Sequence, residues 1–380
     1  MSFTSLGLSP FLLKALAIEN YSQPYPIQKE AIPVILKNKD VLGIAKTGSG
    51  KTASYVLPIL NNFNSNKTLK NRHVKVLVLV PTRELAVQVE EVFSTFAMAL
   101  PERVKTMAIF GGVSINPQMM GMNGVSILVA TPGRLIELEE SNAVSLSDID
   151  TLVLDEADKM LNLGFKEEMD RIFALLPKKR QNLLFSATLS KEVENIKELL
   201  LKSPEVIQIE SKDEDLELID QVAYLVTDDK KGPLLRYLIK KDNLKQVLVF
   251  ASSAFRADAL ANKLCRNNIH AVAIHSRKSQ NSRTESLRRF KAGNIRVLVT
   301  TDLLARGIDI EFLPYVVNYE LPRSPKDYVH RIGRTGRAES PGEAISFISP
   351  EEENHFKVIQ KKMKKEIKTI DSADFDMQGC

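Results

Sequence analysis

Cysteine is almost absent. The 380 residues contain two, Cys265 and Cys380, which supply neither a disulfide framework nor a metal-ligand spacing. Cys265 falls in a helix-compatible segment and reads as a small buried hydrophobe. No apolar run approaches the ~20 residues a membrane span requires. Met1 to Pro10 lacks a basic stretch followed by an apolar one, so no secretory signal is expected. These absences argue against a disulfide scaffold, a cysteine-based metal module or a membrane protein, and favour a reducing, cytoplasmic setting. What is present is ordinary for a globular chain, with 44% hydrophobic and 26% charged residues. A length of 380 exceeds what one hydrophobic core usually organises, so two domains are expected. The net charge of +5 permits a polyanionic partner without demonstrating one.

The most informative stretch is Ala45-Lys46-Thr47-Gly48-Ser49-Gly50-Lys51-Thr52. An apolar run, Val41 to Ile44, precedes it and a helix-compatible segment, Ala53 to Leu60, follows. A strand, a glycine loop and a helix in this order form a phosphate cradle. Gly48 and Gly50 let backbone N–H groups turn around an anion, and the helix beginning near Lys51 adds its positive end. Lys51 would reach the outer phosphates and Thr52 would ligate Mg²⁺. The first glycine of the usual pattern is replaced by Ala45.

Beyond this loop, short apolar runs alternate with helical patterns. Strands are expected at Val74 to Val80, Val104 to Phe110, Val125 to Ala130, Thr151 to Leu154 and Asn182 to Phe185. After a charged stretch, Glu210 to Asp215, they resume at Gln221 to Val226, Val247 to Phe250, Ala271 to Ile274, Ile295 to Thr300, Tyr315 to Asn318 and Ala344 to Ile348. Strands too apolar for one wet face argue parallel sheets covered on both sides. The chain therefore reads as an α/β domain over 1–209, a linker over 210–219, a second α/β domain over 220–370 and a disordered tail over 371–380. No sequence self-similarity is visible between the halves. The lysine-rich segment Glu351 to Lys368 reads as a solvated helix face rather than a dedicated RNA contact.

A phosphate-loop site also needs an acidic group for its metal and a way to activate water. Leu152-Val153-Leu154 supplies a buried strand, and Asp155-Glu156-Ala157-Asp158 follows at its carboxyl end, where open parallel sheets bind ligands. Asp155 would hold Mg²⁺ through water and Glu156 would polarise the attacking water.

At this point the chain resembles the DEAD-box RNA helicases, a family named for this tetrapeptide. Further stretches resemble its motifs in order: Pro81-Thr82-Arg83-Glu84-Leu85-Ala86, Gly111-Gly112, Thr131-Pro132-Gly133-Arg134, Ser186-Ala187-Thr188, Thr301-Asp302 to Arg306-Gly307-Ile308-Asp309, and His330 to Arg337. The opening, Met1 to Pro10, is most similar to the bacterial RhlE-type branch. The resemblance implies two RecA-like domains, each a mostly parallel sheet with helices on both faces. It implies an ATP- and Mg²⁺-dependent, RNA-stimulated ATPase that separates short RNA duplexes as its domains close. An ATP-gated RNA clamp with slow hydrolysis is the alternative, and a DNA-directed motor is a more distant one.

Residue by residue, the resemblance gives Gln28 the reading of adenine, Tyr21 the stacking on it and Phe3 the support of that pocket. Asn20 and Tyr25 depart from the family's usual glycine and threonine. Arg337 is similar to the family's arginine finger and Arg334 to its second γ-phosphate arginine. Asp309 resembles a ribose-contacting aspartate. Ser186, Thr188 and His330 resemble residues coupling hydrolysis to domain closure. RNA contacts would come from Arg83, Gly112 and Arg134 in the first domain and from Gln280, Arg283, Thr301 and Arg306 in the second. Glu137 stands where the family usually has an aspartate near a ribose hydroxyl. Contacts of this kind, mostly to the sugar-phosphate backbone, are independent of base sequence.

Overall fold

The computed structural model describes residues 2–46, 48–63, 72–209, 219–302, 313–336 and 342–375. Four expected site residues, Thr47, Arg306, Asp309 and Arg337, lie outside this set, as does nearly all of the expected linker. The chain divides into two compact units, Met1–Ser211 and Lys212–Cys380.

The first unit is built on a seven-stranded sheet. Its strands are β1 (Val41–Ile44), β2 (Val76–Leu79), β3 (Thr106–Ile109), β4 (Ile127–Ala130), β5 (Thr151–Leu154), β6 (Gln181–Ser186) and β7 (Glu205–Gln208). They lie in the order β3-β4-β2-β5-β6-β1-β7, and every pair is parallel. Alternate residues feed two cores. Val76, Val78, Val129, Val153 and Phe185 pack on one face, and Leu77, Leu79, Leu128, Leu152 and Leu184 on the other. Near-continuous apolar strands follow from this two-sided burial. The helix Lys51–Asn61 is buried at nine of its positions, which is why its sequence lacks a polar stripe. Gly43 in β1 has its own cause: a Cβ there would lie 2.5 Å from the Phe185 ring.

The second unit contains β8 (Ile219–Leu225), β9 (Val247–Phe250), β10 (Ala271–Ile274), β11 (Val297–Thr300), β12 (Tyr315–Asn318), β13 (Gly342–Ile348) and β14 (Lys368–Asp371). Their order is β10-β11-β9-β12-β13-β8-β14, again parallel throughout. Counted from β8, this is the strand order of the first unit. The two halves thus share one topology, although no sequence repeat was visible.

Three expectations need correction. Ile219, assigned to the linker, opens β8 and is buried. Of the tail expected to be disordered over 371–380, residues 371–375 are structured and 376–380 lie outside the described residues. Asp371 ends β14, a short 3-10 turn spans Ser372–Asp374, and the Phe375 ring meets Tyr224 and Tyr237 edge-on at 5.7 and 5.5 Å. The polar composition of this segment hid Ile370 and Phe375, which pack on the core. Finally, Cys265 is exposed, not buried. The helix Ala254–Arg266 turns Ala257, Leu260, Ala261 and Leu264 inward, leaving Cys265 outside, where its thiol donates to the Ala271 carbonyl at 3.1 Å.

Candidate nucleotide and nucleic-acid site

Parallel pairing brings every carboxyl end to one edge of each sheet, and the expected site residues follow those ends. In the first unit the phosphate loop leaves β1, Asp155 leaves β5, and Ser186 ends β6 between them. With neighbouring strands about 4.8 Å apart, β1 and β5 lie roughly 10 Å from one another. Arg83, Gly112 and Arg134 follow β2, β3 and β4, on the other half of the same edge.

The phosphate loop is held from outside and from within. The Gln28 amide donates to the Gly50 carbonyl at 3.0 Å and accepts from the Tyr25 backbone N–H at 2.9 Å. Gly50 has φ +87°, and a Cβ on it would lie 2.5 Å from Gln28 Nε2. Conformation and space therefore both demand glycine. The Lys51 ammonium is buried and donates to the Ala45 carbonyl at 2.7 Å. Ser49 closes the turn through its hydroxyl on the Lys46 carbonyl at 2.8 Å. Gly48, at φ +76°, shares this tight turn, while the Lys46 side chain is exposed. Above the loop, Phe3 is buried and meets the half-buried Tyr21 edge-on at 6.4 Å. Asn20 takes φ +59°, the left-handed conformation that asparagine tolerates best among residues with a Cβ. The departure from glycine therefore keeps the turn.

Asp155 and Glu156 are both buried. Burial pushes the Asp155 carboxyl above the usual aspartate range, with Lys51 opposing that shift. One oxygen of Asp155 accepts from the Tyr55 hydroxyl at 2.8 Å and the other from the Glu156 backbone N–H at 2.9 Å. Glu156 sits at φ +54°, ψ +46°, a conformation that costs a non-glycine residue about 1–3 kcal/mol and clusters at functional sites. Its Oε1 accepts from the Lys159 ammonium at 2.6 Å, whereas its buried Oε2 has no hydrogen-bond partner among the described residues. An orphaned carboxylate oxygen beside a second buried carboxylate suits a polarised water and a divalent cation. Thr52, in the first turn of the helix after the loop, and Asp155 are the two residues expected to hold magnesium.

Ser186 and Thr188 connect to the acidic turn. The Ser186 hydroxyl donates to the Thr188 carbonyl at 2.8 Å, and the Thr188 hydroxyl donates to Asp158 Oδ2 at 3.1 Å. On the other half of the edge, the Arg83 guanidinium lies against Gly112, where a Cβ would come within 1.9 Å of it. Arg134 is buried, donates to the Val113 carbonyl and pairs with Glu137, each at 2.8 Å. Its Nη1 has no partner among the described residues. The three residues expected at RNA are therefore neighbours.

In the second unit, Gln280 and Arg283 follow β10, Thr301 follows β11, and His330 and Arg334 follow β12. Gln280 and Arg283 are buried and hydrogen-bonded to each other, so they do not project as free surface groups. Thr301 is half-buried, His330 is exposed and Arg334 is buried.

Sequence reasoning missed several participants. Arg331 grips Asp302 with two bonds of 2.5 and 2.8 Å, donates to Asn318 and the Glu320 carbonyl, and lies over the Phe250 ring. It ties together the ends of β9, β11 and β12. Lys159, which pairs with Glu156, and Tyr55, which holds Asp155, were also missed. A signal for Tyr55 existed: it stands three residues after Thr52 on one helix, and such spacing places two side chains on the same face.

Two parallel α/β units, the first with a glycine-rich phosphate loop and a buried acidic turn at one sheet edge, are the architecture expected of a nucleotide-driven helicase. A family model described as DEAD/DEAH box helicase matches residues 25–196, and one described as helicase conserved C-terminal domain matches 230–339. The chain belongs to the DEAD-box helicase family. It is 40% identical over 377 residues to the DEAD-box ATP-dependent RNA helicase CshA of Streptococcus pneumoniae, covering 99% of this chain and 71% of that protein. Its identity to CshA of Geobacillus kaustophilus is 38% over 376 residues, covering 99% and 79%. Among solved structures, S. cerevisiae Dbp5 bound to RNA and ADP BeF3 matches with a TM-score of 0.84 at 30% identity, covering 98% of this chain and 96% of that one. A DEAD box protein from Methanococcus jannaschii matches with a TM-score of 0.56 at 34% identity, covering 97% and 99%.

Proposed function

We infer that this chain is an ATP-dependent RNA helicase, an RNA-stimulated ATPase that separates short RNA duplexes or remodels RNA–protein complexes. The observation that carries the reading is the buried Asp155–Glu156 pair, one strand removed from a phosphate loop that holds Lys51 and Thr52. Family membership and the likeness to a helicase solved with RNA and a nucleotide analogue support it.

In this reading, Gln28, Tyr21 and Phe3 form the adenine pocket, and the loop from Lys46 to Thr52 holds the phosphates. Magnesium, held by Thr52 and through water by Asp155, would neutralise charge on the β- and γ-phosphates. Glu156 orients the attacking water through its free Oε2. Arg334 and Arg337 belong to the second unit, so hydrolysis requires the two units to close on the nucleotide. Asp309 contributes to the ribose, and Ser186, Thr188 and His330 couple closure to chemistry. Arg83, Gly112, Arg134, Gln280, Arg283, Thr301 and Arg306 engage RNA, through the backbone and without base readout. For Gln280 and Arg283 this role requires their mutual contact to open.

The RhlE-type branch rests on the opening residues alone, whereas the relatives that match the whole chain carry the CshA name. An exposed free thiol at Cys265 suits a reducing cytoplasm. Among the described residues, no helix is long and apolar enough to cross a membrane.

Steady-state ATP hydrolysis measured alone, with single-stranded RNA and with DNA of the same sequence tests the assignment. Strong stimulation by RNA only is the expected result. High turnover without RNA, or equal stimulation by DNA, would remove RNA from the mechanism.

A further inference from the structure

Nothing assigned so far gives a role to the Tyr55 hydroxyl. Tyr55 is fully buried at the centre of the helix Lys51–Asn61. Burying a phenol without a partner is costly, and a core position filled only for packing would be served by phenylalanine. Here the hydroxyl donates to Asp155 Oδ2 at 2.8 Å. One hydroxyl, on the helix that also carries Thr52, therefore holds the carboxylate that this nucleotide site places at its cation. The ring is confined by Phe185 at 5.3 Å and Phe93 at 6.3 Å. Phe185 is itself seated against Gly43, where a side chain would collide with it. Packing thus fixes the position of the hydroxyl rather than leaving it free to rotate away.

The polarity of this bond matters. A tyrosine hydroxyl has one proton to give and lone pairs to receive. Its proton goes to Asp155 Oδ2, so the bond orients the carboxylate from the helix that also carries Thr52. Asp155 is meanwhile held at both oxygens, by Tyr55 on one and by the Glu156 backbone N–H on the other.

We propose that Tyr55 is a positioning residue for the cation site, holding the Asp155 carboxylate in place so that magnesium binds with nucleotide. The proposal rests on the nucleotide-site reading above. It predicts that the hydroxyl contributes to magnesium-dependent nucleotide affinity and leaves magnesium-free affinity unchanged.

The test is equilibrium binding of ADP to the full chain, with magnesium chloride and with EDTA, for wild type, Tyr55→Phe and Phe93→Leu, alongside thermal melts. Wild type is expected to bind ADP more tightly with magnesium. Tyr55→Phe is expected to keep the EDTA affinity and lose roughly 3- to 10-fold of the magnesium gain, the range set by one ordinary hydrogen bond. Phe93→Leu, which loosens the packing that seats the ring, should melt lower and lose part of the same gain while keeping the EDTA affinity. An unchanged or larger magnesium gain in Tyr55→Phe overturns the proposal. Equal weakening with and without magnesium also overturns it, since that is the behaviour of a packing residue. If wild type bound no ADP, or bound it with no magnesium gain, the nucleotide-site reading would fail first.

Discussion

Asp155 shows how a single carboxylate can be costly to the fold and necessary to the chemistry. Desolvation raises its pKa above the ordinary aspartate value, despite the attraction of Lys51. A raised folded pKa means that the native state holds this proton more tightly than the unfolded chain does. Stability from this group is therefore present below the unfolded pKa and declines as pH rises through the folded one. The comparison that isolates the effect is wild type against Asp155→Asn without nucleotide. The melting temperature of wild type minus that of the variant should fall as pH rises from about 4 towards neutrality. A difference that grew with pH would mean that Lys51 and the Tyr55 bond outweigh burial. The strained backbone of Glu156 is a second local cost at the same turn. Both are tolerable because apolar cores on the two faces of the first unit's sheet supply stabilising contact.

At the scale of elements, the C-terminal strand was the main surprise. β14 pairs with β8 from Lys368↔Val222 to Asp371↔Leu225, and the chain then folds Phe375 over Tyr224, Tyr237 and the Lys241 ammonium. The ring is half-buried, so Phe375→Ala should cost less than a full core truncation. About 1–3 kcal/mol is expected, from aromatic contact, the cation–π interaction and lost burial. Chemical denaturation of the full chain, followed by a probe in the second unit, would measure it. An unchanged midpoint would make the C-terminal segment a passive appendage. This element was illegible in sequence because Lys368-Thr369-Ile370-Asp371 offers one apolar residue in four. Edge strands are stabilised by backbone pairing more than by periodicity. The same reason hid β7, whose residues are exposed apart from Ile207. Interior strands such as Val247–Phe250 were legible to the residue because both of their faces are buried. At the site, motif spacing announced Lys51, Asp155 and Glu156; Tyr55 and Lys159 stand at helical spacing from Thr52 and Glu156, a signal that names neighbours but not roles, and Arg331 depends on partners distant in sequence.

Across the whole molecule, two units with one strand order share the functional edge in the same way. Among the described residues of each, those proposed to contact nucleic acid follow one half of the sheet and those proposed to contact the phosphates follow the other. The first unit holds the phosphate loop and the acidic turn, but it contains no arginine with the assigned γ-phosphate role. Those arginines come from the second unit. Under the proposed assignment, such a division of labour would separate binding from turnover, because the transition-state charge would be met only when the second unit engages the bound nucleotide. Arg334 tests this separation from within the described residues. It is buried, three residues after the Arg331 that grips Asp302. Arg334→Ala in the full chain should leave magnesium–ADP affinity within about twofold and RNA-stimulated ATP hydrolysis lower by roughly 10³, the scale on which arginines act in phosphoryl transfer. Binding and turnover falling together would place Arg334 in ground-state binding. Normal turnover would mean that the first unit completes the chemistry alone, and that closure serves RNA handling rather than hydrolysis.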